Sequence, residues 1–243
     1  MTKIRLDQAL VERGLVGSRT KAAAMIMAGE VKVDDKLQDK PGYFVGEGVN
    51  IDLIEQPRYV SRGGDKLASV AGKLKLDFKG KIVMDVGSST GGFSDYALQN
   101  GAQKVYAIDV GSGQLDYRLR TDSRVVVMER TDIRNVTNLP DSIDIVLADV
   151  SFISLRLVLP AIVRLITPKT CVVAMAKPHF EADRITASKH KGVIKNDTIR
   201  REILKQVEAF IKRWFVIEAK ADSGVLGRKG NKERFYLLRL AKH

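Results

Sequence analysis

Three acids, each placed after a short apolar run, stand where a chain could hold a small cationic ligand. Asp85 follows Ile82-Val83-Met84 and opens into Val86-Gly87-Ser88-Ser89-Thr90-Gly91-Gly92-Phe93. Gly87, Gly91 and Gly92 allow a tight turn and a close backbone approach, Ser89 sits at the centre of the loop, and Phe93 enters a helix whose free N–H groups face the ligand. A dinucleotide site would carry a further glycine under the pyrophosphate, and Asp85 would repel phosphate. An ammonium group suits Asp85 better, and S-adenosyl-L-methionine carries one and no phosphate. Asp109 ends Val105-Tyr106-Ala107-Ile108 and precedes Val110 at roughly the 20-residue spacing where a carboxylate meets a ribose diol, a contact that serves either cofactor. In Thr131-Asp132-Ile133, Asp132 could accept from an adenine amino group and Ile133 could cover the ring. Acids after strands also cap helices and line turns, and for Asp132 that plain reading has equal weight.

A second set of groups could do acid–base work. Asp149 ends the apolar run 143–148, Lys177 ends 171–176, Lys66 precedes a covering helix, and Glu233 opens the last strand. Ligands of open α/β sheets bind at the carboxyl ends of strands, so two lysines and two carboxylates could converge beside a transferable methyl group.

The elements that must carry these residues are legible from period and punctuation. Short apolar runs at 82–86, 105–108, 125–128, 143–148 and 171–176 alternate with helical segments, including Ser154 to about Ile166 and Asn196 to Trp214. Strands 215–219 and 235–240 follow with only a basic, glycine-containing loop between them. The expected fold class is α/β, a Rossmann-like class I methyltransferase sheet, mostly parallel with the last strand antiparallel.

Ahead of it, residues 1–56 read as a small α+β domain. Leu6, Ala9 and Leu10 share a helical face, Ser18 caps a second helix through Ala28, Val31 and Val33 alternate, Asp34-Asp35 turns, and Val49, Ile51 and Leu53 alternate again. Residues 57–62 form a short linker begun by Pro57, and 63–243 form the larger domain.

The formal charge of +12, from 41 Lys/Arg against 29 Asp/Glu, points to a polyanionic partner, most simply nucleic acid. Residues 1–56 hold 8 basic and 9 acidic side chains, so the small domain would grip RNA by shape and a local patch, with Arg5, Arg13, Arg19, Lys21 and Lys32 as candidates. In the larger domain, Arg62, a mobile substrate loop over 181–195 with Arg184, Lys189 and Lys191, and the rim residues Arg228 and Lys229 are the candidate phosphate contacts. Cys171 sits within an apolar strand and reads as core, and three histidines offer no zinc constellation, so no metal is expected. Met1-Thr2-Lys3-Ile4-Arg5 has no apolar signal region and no run approaches a membrane span, so a cytoplasmic protein with no membrane partner is expected. The sequence carries no sign of oligomeric state.

Five stretches make the expectation specific. Ser61-Arg62-Gly63-Gly64-Asp65-Lys66-Leu67, Asp85 through Phe93, Asp149-Val150-Ser151-Phe152-Ile153-Ser154-Leu155, Lys177-Pro178-His179-Phe180-Glu181 and Gly230-Asn231-Lys232-Glu233 resemble, in order, the signatures of the hemolysin A (TlyA) family. The small domain likewise resembles the alpha-L RNA-binding motif, through Arg5-Leu6-Asp7, Gly14-Leu15, Ser18-Arg19, Ala22-Ala23 and Ala28-Gly29-Glu30-Val31. The resemblance implies an FtsJ-like catalytic domain that methylates the ribose 2′-hydroxyl of a cytidine in ribosomal RNA, within ribosomal subunits, with S-adenosyl-L-methionine as cofactor. It also implies a catalytic tetrad of Lys66, Asp149, Lys177 and Glu233, while His179 stands where glutamine is more frequent. A ribose hydroxyl must lose its proton to attack, and a free lysine, near pKa ~10.4, must be neutral before it can accept one. Lys177 is thus either the base or a cation that stabilises the alkoxide. The short end after Leu240 resembles the family's shorter form, which suggests large-subunit RNA. Transfer RNA or another RNA is the alternative substrate. A membrane-active hemolysin would need an apolar span or a strongly amphipathic cationic helix, and a non-catalytic RNA-binding scaffold would bind without methylating.

Overall fold

A computed structural model describes residues 3–54 and 57–241; Met1-Thr2 at the N-terminus, the small domain's expected end at residue 56 and the last residues of the short C-terminal end lie outside the described residues. The chain divides into two units, Met1–Pro57 and Arg58–His243.

The small unit runs β1 (Ile4–Arg5), α1 (Leu6–Glu12), α2 (Arg19–Met27), β2 (Val31–Val33), β3 (Lys36–Gln38), β4 (Phe44–Val45) and β5 (Ile51–Leu53). Leu6, Ala9 and Leu10 are buried with Ala22, Ile26, Val31, Val33, Val45 and Ile51, so the periodic apolar residues do face one core. The Ser18 hydroxyl accepts from the Lys21 amide and caps α2. Asp34 and Asp35 both take positive φ, 47° and 64°, the two-residue turn that suits the right-handed twist of the β2–β3 hairpin. β1 and β4 pair antiparallel, a two-residue ribbon too short to announce itself by alternation.

In the larger unit come α3 (Arg62–Ala71), β6 (Ile82–Val86), α4 (Gly92–Gln99), β7 (Lys104–Ile108), α5 (Tyr117–Arg120), β8 (Val125–Met128), β9 (Ile145–Ala148), α6 (Leu155–Val163), β10 (Cys171–Ala176), α7 (Pro178–Glu181), α8 (Arg184–Lys189), α9 (Asp197–Ile211), β11 (Phe215–Asp222) and β12 (Arg234–Leu240). The seven strands lie in the order β11-β12-β10-β9-β6-β7-β8, with β12 antiparallel to both its neighbours and the recorded β10–β9, β9–β6, β6–β7 and β7–β8 pairings parallel. The helix-free last connection is the reason: a hairpin reverses the chain, whereas a crossover helix restores its direction.

Both faces of the sheet are buried. Met84, Val86, Tyr106, Ile108, Val146 and Ala148 pack with α6 and α9 residues such as Val158, Leu159, Leu204 and Val207. Val83, Val105, Ala107, Ile145 and Leu147 pack on the other side with Leu67 and Val70 of α3 and Phe93 and Ala97 of α4. Neighbouring positions of β6 and β7 therefore serve opposite cores, which is why these strands read as continuous apolar runs. Tyr59 is buried in the second core, the Val60 amide donates to Asp95 at 2.8 Å, and Ser61 caps α3, so these residues of the expected 57–62 linker are built into the larger unit.

Residues 181–195, read from sequence as a loop, are not structureless. Glu181 closes α7, the Asp183 carboxylate caps α8 by accepting from the Thr186 amide, and α8 follows. Among the described residues, no helix is long and apolar enough to cross a membrane.

Candidate active site

The loop after β6 is shaped by its glycines and by Asp109. Gly87 sits at φ +84°, and a Cβ there would meet the Asp149 carbonyl oxygen at 2.7 Å; Gly91 sits at φ +96°, and a Cβ would lie 2.2 Å from Leu119. Gly92 has no positive φ but lies so near α3 that a Cβ would meet the Ser61 hydroxyl at 2.3 Å. Ser89 adopts φ +48° without being glycine, and Asp109 secures it: Oδ2 accepts from the Ser89 amide at 2.8 Å while Oδ1 accepts from the Gly111 amide at 2.7 Å. Gln114, unmarked in the sequence reading, accepts from the Ser89 hydroxyl at 3.1 Å.

Asp85 points inward from β6 and is fully buried. Its Oδ2 accepts from the Ser94 hydroxyl at 2.6 Å, and Oδ1 has no partner. Burial pushes its carboxyl up to about 7, with the Asp149 and Asp109 charges adding and the Ser94 hydrogen bond opposing. A buried, half-satisfied carboxylate is costly unless a donor or cation completes it.

Two cavities adjoin at this loop. The first, of about 550 Å³, is lined by Gly87, Ser89, Asp109, Val110, Asp132 and Ile133. The second, of about 420 Å³, is lined by Lys66, Asp85, Gly92, Phe93, Asp149 and Lys177, and it shares Gly87, Ser89, Asp149 and Ser151 with the first. Of the expected cofactor residues only Gly91 lines neither; it turns the loop and packs behind it. Asp132 lines the first cavity, but it caps a short 3-10 turn at Ile133–Asn135 and both its oxygens are engaged by Arg134, at 2.6 to 3.0 Å. That hydrogen-bonded pair holds its carboxyl below the usual range, so the capping reading of Asp132 is realised in the structure.

The four residues expected to act together form two ion pairs. Lys177 Nζ lies 2.5 Å from Asp149 Oδ1 and donates to the Ser151 hydroxyl at 2.7 Å, while Lys66 Nζ lies 2.7 Å from Glu233 Oε2. Lys66, Asp149 and Lys177 line the second cavity, and Glu233, almost fully buried, reaches it through Lys66. Burial and the charges of Lys177, Lys66 and Lys229 push the His179 imidazole down to about 4, so it is neutral at pH 7. Ser151 and Phe152 lie within the Asp149–Leu155 stretch, where nothing in the sequence marks them for a role. Phe152, in the left-handed region at φ +63° and 92% exposed, lines the first cavity with its ring 5.1 Å from that of Phe180.

The candidate RNA contacts divide. Arg62 and Arg228 line the second cavity, Arg62 also donating to the Leu226 carbonyl. Arg184, Lys189, Lys191 and Lys229 are exposed. In the small unit, exposed Arg5 and Arg19 share the buried Asp7 carboxylate, Lys21 is exposed and Lys32 half-buried. Arg13 is exposed as well, and its guanidinium donates to the carbonyls of Val49 at 2.6 Å and of Gly46 and Glu47 at 3.1 Å, which closes the end of α1 onto that turn. Glu181 likewise faces inward, accepting from the Leu155 amide and the Ser154 hydroxyl at the start of α6.

A seven-stranded sheet with one antiparallel strand, opened by an acid and a glycine loop, defines the S-adenosylmethionine-dependent methyltransferase fold. The FtsJ-like methyltransferase family matches residues 59–240 and the S4 domain matches 4–51; the chain belongs to the FtsJ-like methyltransferase family and carries an S4 domain. The YqxC protein of Bacillus subtilis, which bears a provisional rRNA methyltransferase name, is 43% identical over 98% of this chain and 85% of its own. The 16S/23S rRNA (cytidine-2′-O)-methyltransferase TlyA of Mycobacterium tuberculosis is 38% identical over 98% of this chain and 90% of its own. A solved structure from Streptococcus thermophilus, carried under the hemolysin name, superimposes with a TM-score of 0.73 at 37% identity, covering 100% of this chain and 90% of its own.

Proposed function

We propose that the chain transfers a methyl group from S-adenosyl-L-methionine to the ribose 2′-hydroxyl of a cytidine in ribosomal RNA, acting in the cytoplasm on ribosomal subunits. The single observation that carries this reading is that the Lys177–Asp149 pair, backed by Lys66–Glu233, faces a cavity adjoining the Asp85–Gly87 loop. Residues suited to the cofactor surround that loop: unpartnered Oδ1 of Asp85 toward an ammonium, Asp109 toward a ribose diol, and Val110 and Ile133 beside an adenine. The cofactor, when bound, supplies a methyl group activated by its sulfonium.

Lys177 is the residue that meets the hydroxyl. Its Nζ lies 2.5 Å from Asp149 Oδ1, so a neutral Lys177 amine can take up the hydroxyl proton as the oxygen becomes nucleophilic, and the Asp149 carboxylate then holds the resulting ammonium. Lys66, fixed by Glu233, presents a second cation to the developing negative charge. Arg62, Arg184, Lys189, Lys191, Arg228 and Lys229 offer phosphate contacts around the catalytic unit, and Arg5, Arg19, Lys21 and Lys32 offer a patch on the S4 domain. Tritiated methyl donor and unmodified ribosomal subunits test the reading: label should appear in alkali-resistant dinucleotides, and label confined to bases or protein would overturn it.

A further inference from the structure

Asn231 is 3% exposed, and both ends of its carboxamide are used on one distant stretch of backbone. Its Oδ1 accepts from the Ile194 amide at 2.9 Å and its Nδ2 donates to the Gly192 carbonyl at 3.0 Å. The carboxamide supplies an acceptor and a donor at once. The stretch it grips closes the segment whose exposed cations are Arg184, Lys189, Lys191 and Lys195; among the described residues none of the four forms an ion pair.

On its other side Asn231 is two residues from Glu233, and the chain between is wound tightly around that carboxylate. The Asn231 carbonyl accepts from the Gly227 amide at 2.8 Å, and a Cβ at Gly227 would stand 2.9 Å from Glu233 Oε1. Arg200, 4% exposed on α9, donates to the Lys232 carbonyl at 2.9 Å, and the Glu233 carbonyl accepts from the Ser223 amide at 3.0 Å. The backbone of Glu233 is thus clamped by the body of the unit, while the only side chain from Gly230-Asn231-Lys232-Glu233 that bonds the basic segment is that of Asn231.

We infer that Asn231 is a positioning residue that couples the basic segment 184–195 to Glu233, so that RNA phosphates engaging the segment hold Glu233, and through it Lys66, in place for methyl transfer. This rests on the proposed function, because it takes the segment as the RNA contact and the Lys66–Glu233 pair as part of the catalytic group.

The experiment has an arm that does not need turnover. Hydrogen exchange of the wild-type chain with and without ribosomal RNA should show the Ile194 amide and the Ser223 amide, which is bonded to the Glu233 carbonyl, slowing together. Slowing at Ile194 with no change at Ser223 overturns the coupling. In the turnover arm, Asn231→Ala and Asn231→Asp should lower single-turnover transfer by about 100-fold, the scale of a misplaced catalytic group, with cofactor affinity unchanged. In a Glu233→Gln background the same substitutions should cost less than about threefold, since residues acting as a unit are not additive. An equal loss in both backgrounds, or no loss in either, overturns the inference. Absence of labelled RNA with the wild-type chain would instead count against the proposed function and leave the exchange result to decide the coupling.

Discussion

Lys177 and Asp149 follow the neighbouring parallel strands β10 and β9, and their side chains meet at 2.5 Å. Ala174 pairs with Ala148, so Asp149 is level with Met175 and Lys177 stands two residues further along the neighbouring strand, at the same edge of the sheet, where both line the cavity at the loop after β6.

Lys66 and Glu233 form the second pair, with Glu233 only 2% exposed. Removing the lysine alone leaves a buried carboxylate without its cation, so Lys66→Met should destabilise by about 3–5 kcal/mol, whereas Lys66→Met with Glu233→Leu should recover most of that loss. Urea unfolding of the three proteins checks this, and both variants should be inactive in methyl transfer.

Asp85 gives a pH signature. In the unfolded chain its carboxyl ionises near 3.8, in the folded chain near 7, so between these values the unfolded chain holds fewer protons and stability falls as pH rises. The deficit is absent below about 4 and complete above about 7. Asp85→Asn should therefore raise the melting temperature at pH 8, by an amount corresponding to at most about 4 kcal/mol, with the difference vanishing near pH 4.

The same group should govern the ligand. If an ammonium completes Asp85, S-adenosylhomocysteine should bind most tightly above about pH 7, as long as its own ammonium stays protonated, and progressively more weakly below it, where binding should release a proton. Calorimetry in buffers of different ionisation enthalpy reads that proton directly, and Asp85→Asn should abolish it.

Asp222 sets an acid limit. Burial alone would raise its carboxyl, but Arg234 and Arg200, each 2.7 Å away, outweigh burial and hold it at about 2. Its contribution is present above about 4 and lost as pH falls toward 2, so the acid unfolding of Asp222→Asn should begin from lower stability and slope less steeply over that range.

What the sequence revealed depends on how local the determinants are. The loop after β6 and the strand-end residues Asp149 and Lys177 were readable because apolar runs and glycines mark strand and turn within a few residues. The arginine that occupies Asp132 stands only two residues away in sequence, yet nothing in Asp132-Ile133-Arg134 tells a cap from a free carboxylate. Arg13 reads as a surface cation because its carbonyl partners lie more than 30 residues away. Helix α8 buries no residue and exposes Ile185 at 82%, so there was no apolar stripe to signal it. Ser151 and Asn231 stood inside recognisable motifs, but their hydrogen bonds, to Lys177 and to backbone at 192 and 194, exist only after folding.

The most direct test pairs the wild-type chain with Lys177→Ala on unmodified ribosomal subunits, reading alkali-resistant dinucleotides alongside RNA affinity. Wild-type protein should place label on ribose, and Lys177→Ala should bind RNA about equally while losing transfer altogether. A Lys177→Ala protein that still methylates ribose would contradict the assignment of proton transfer to the Lys177–Asp149 pair.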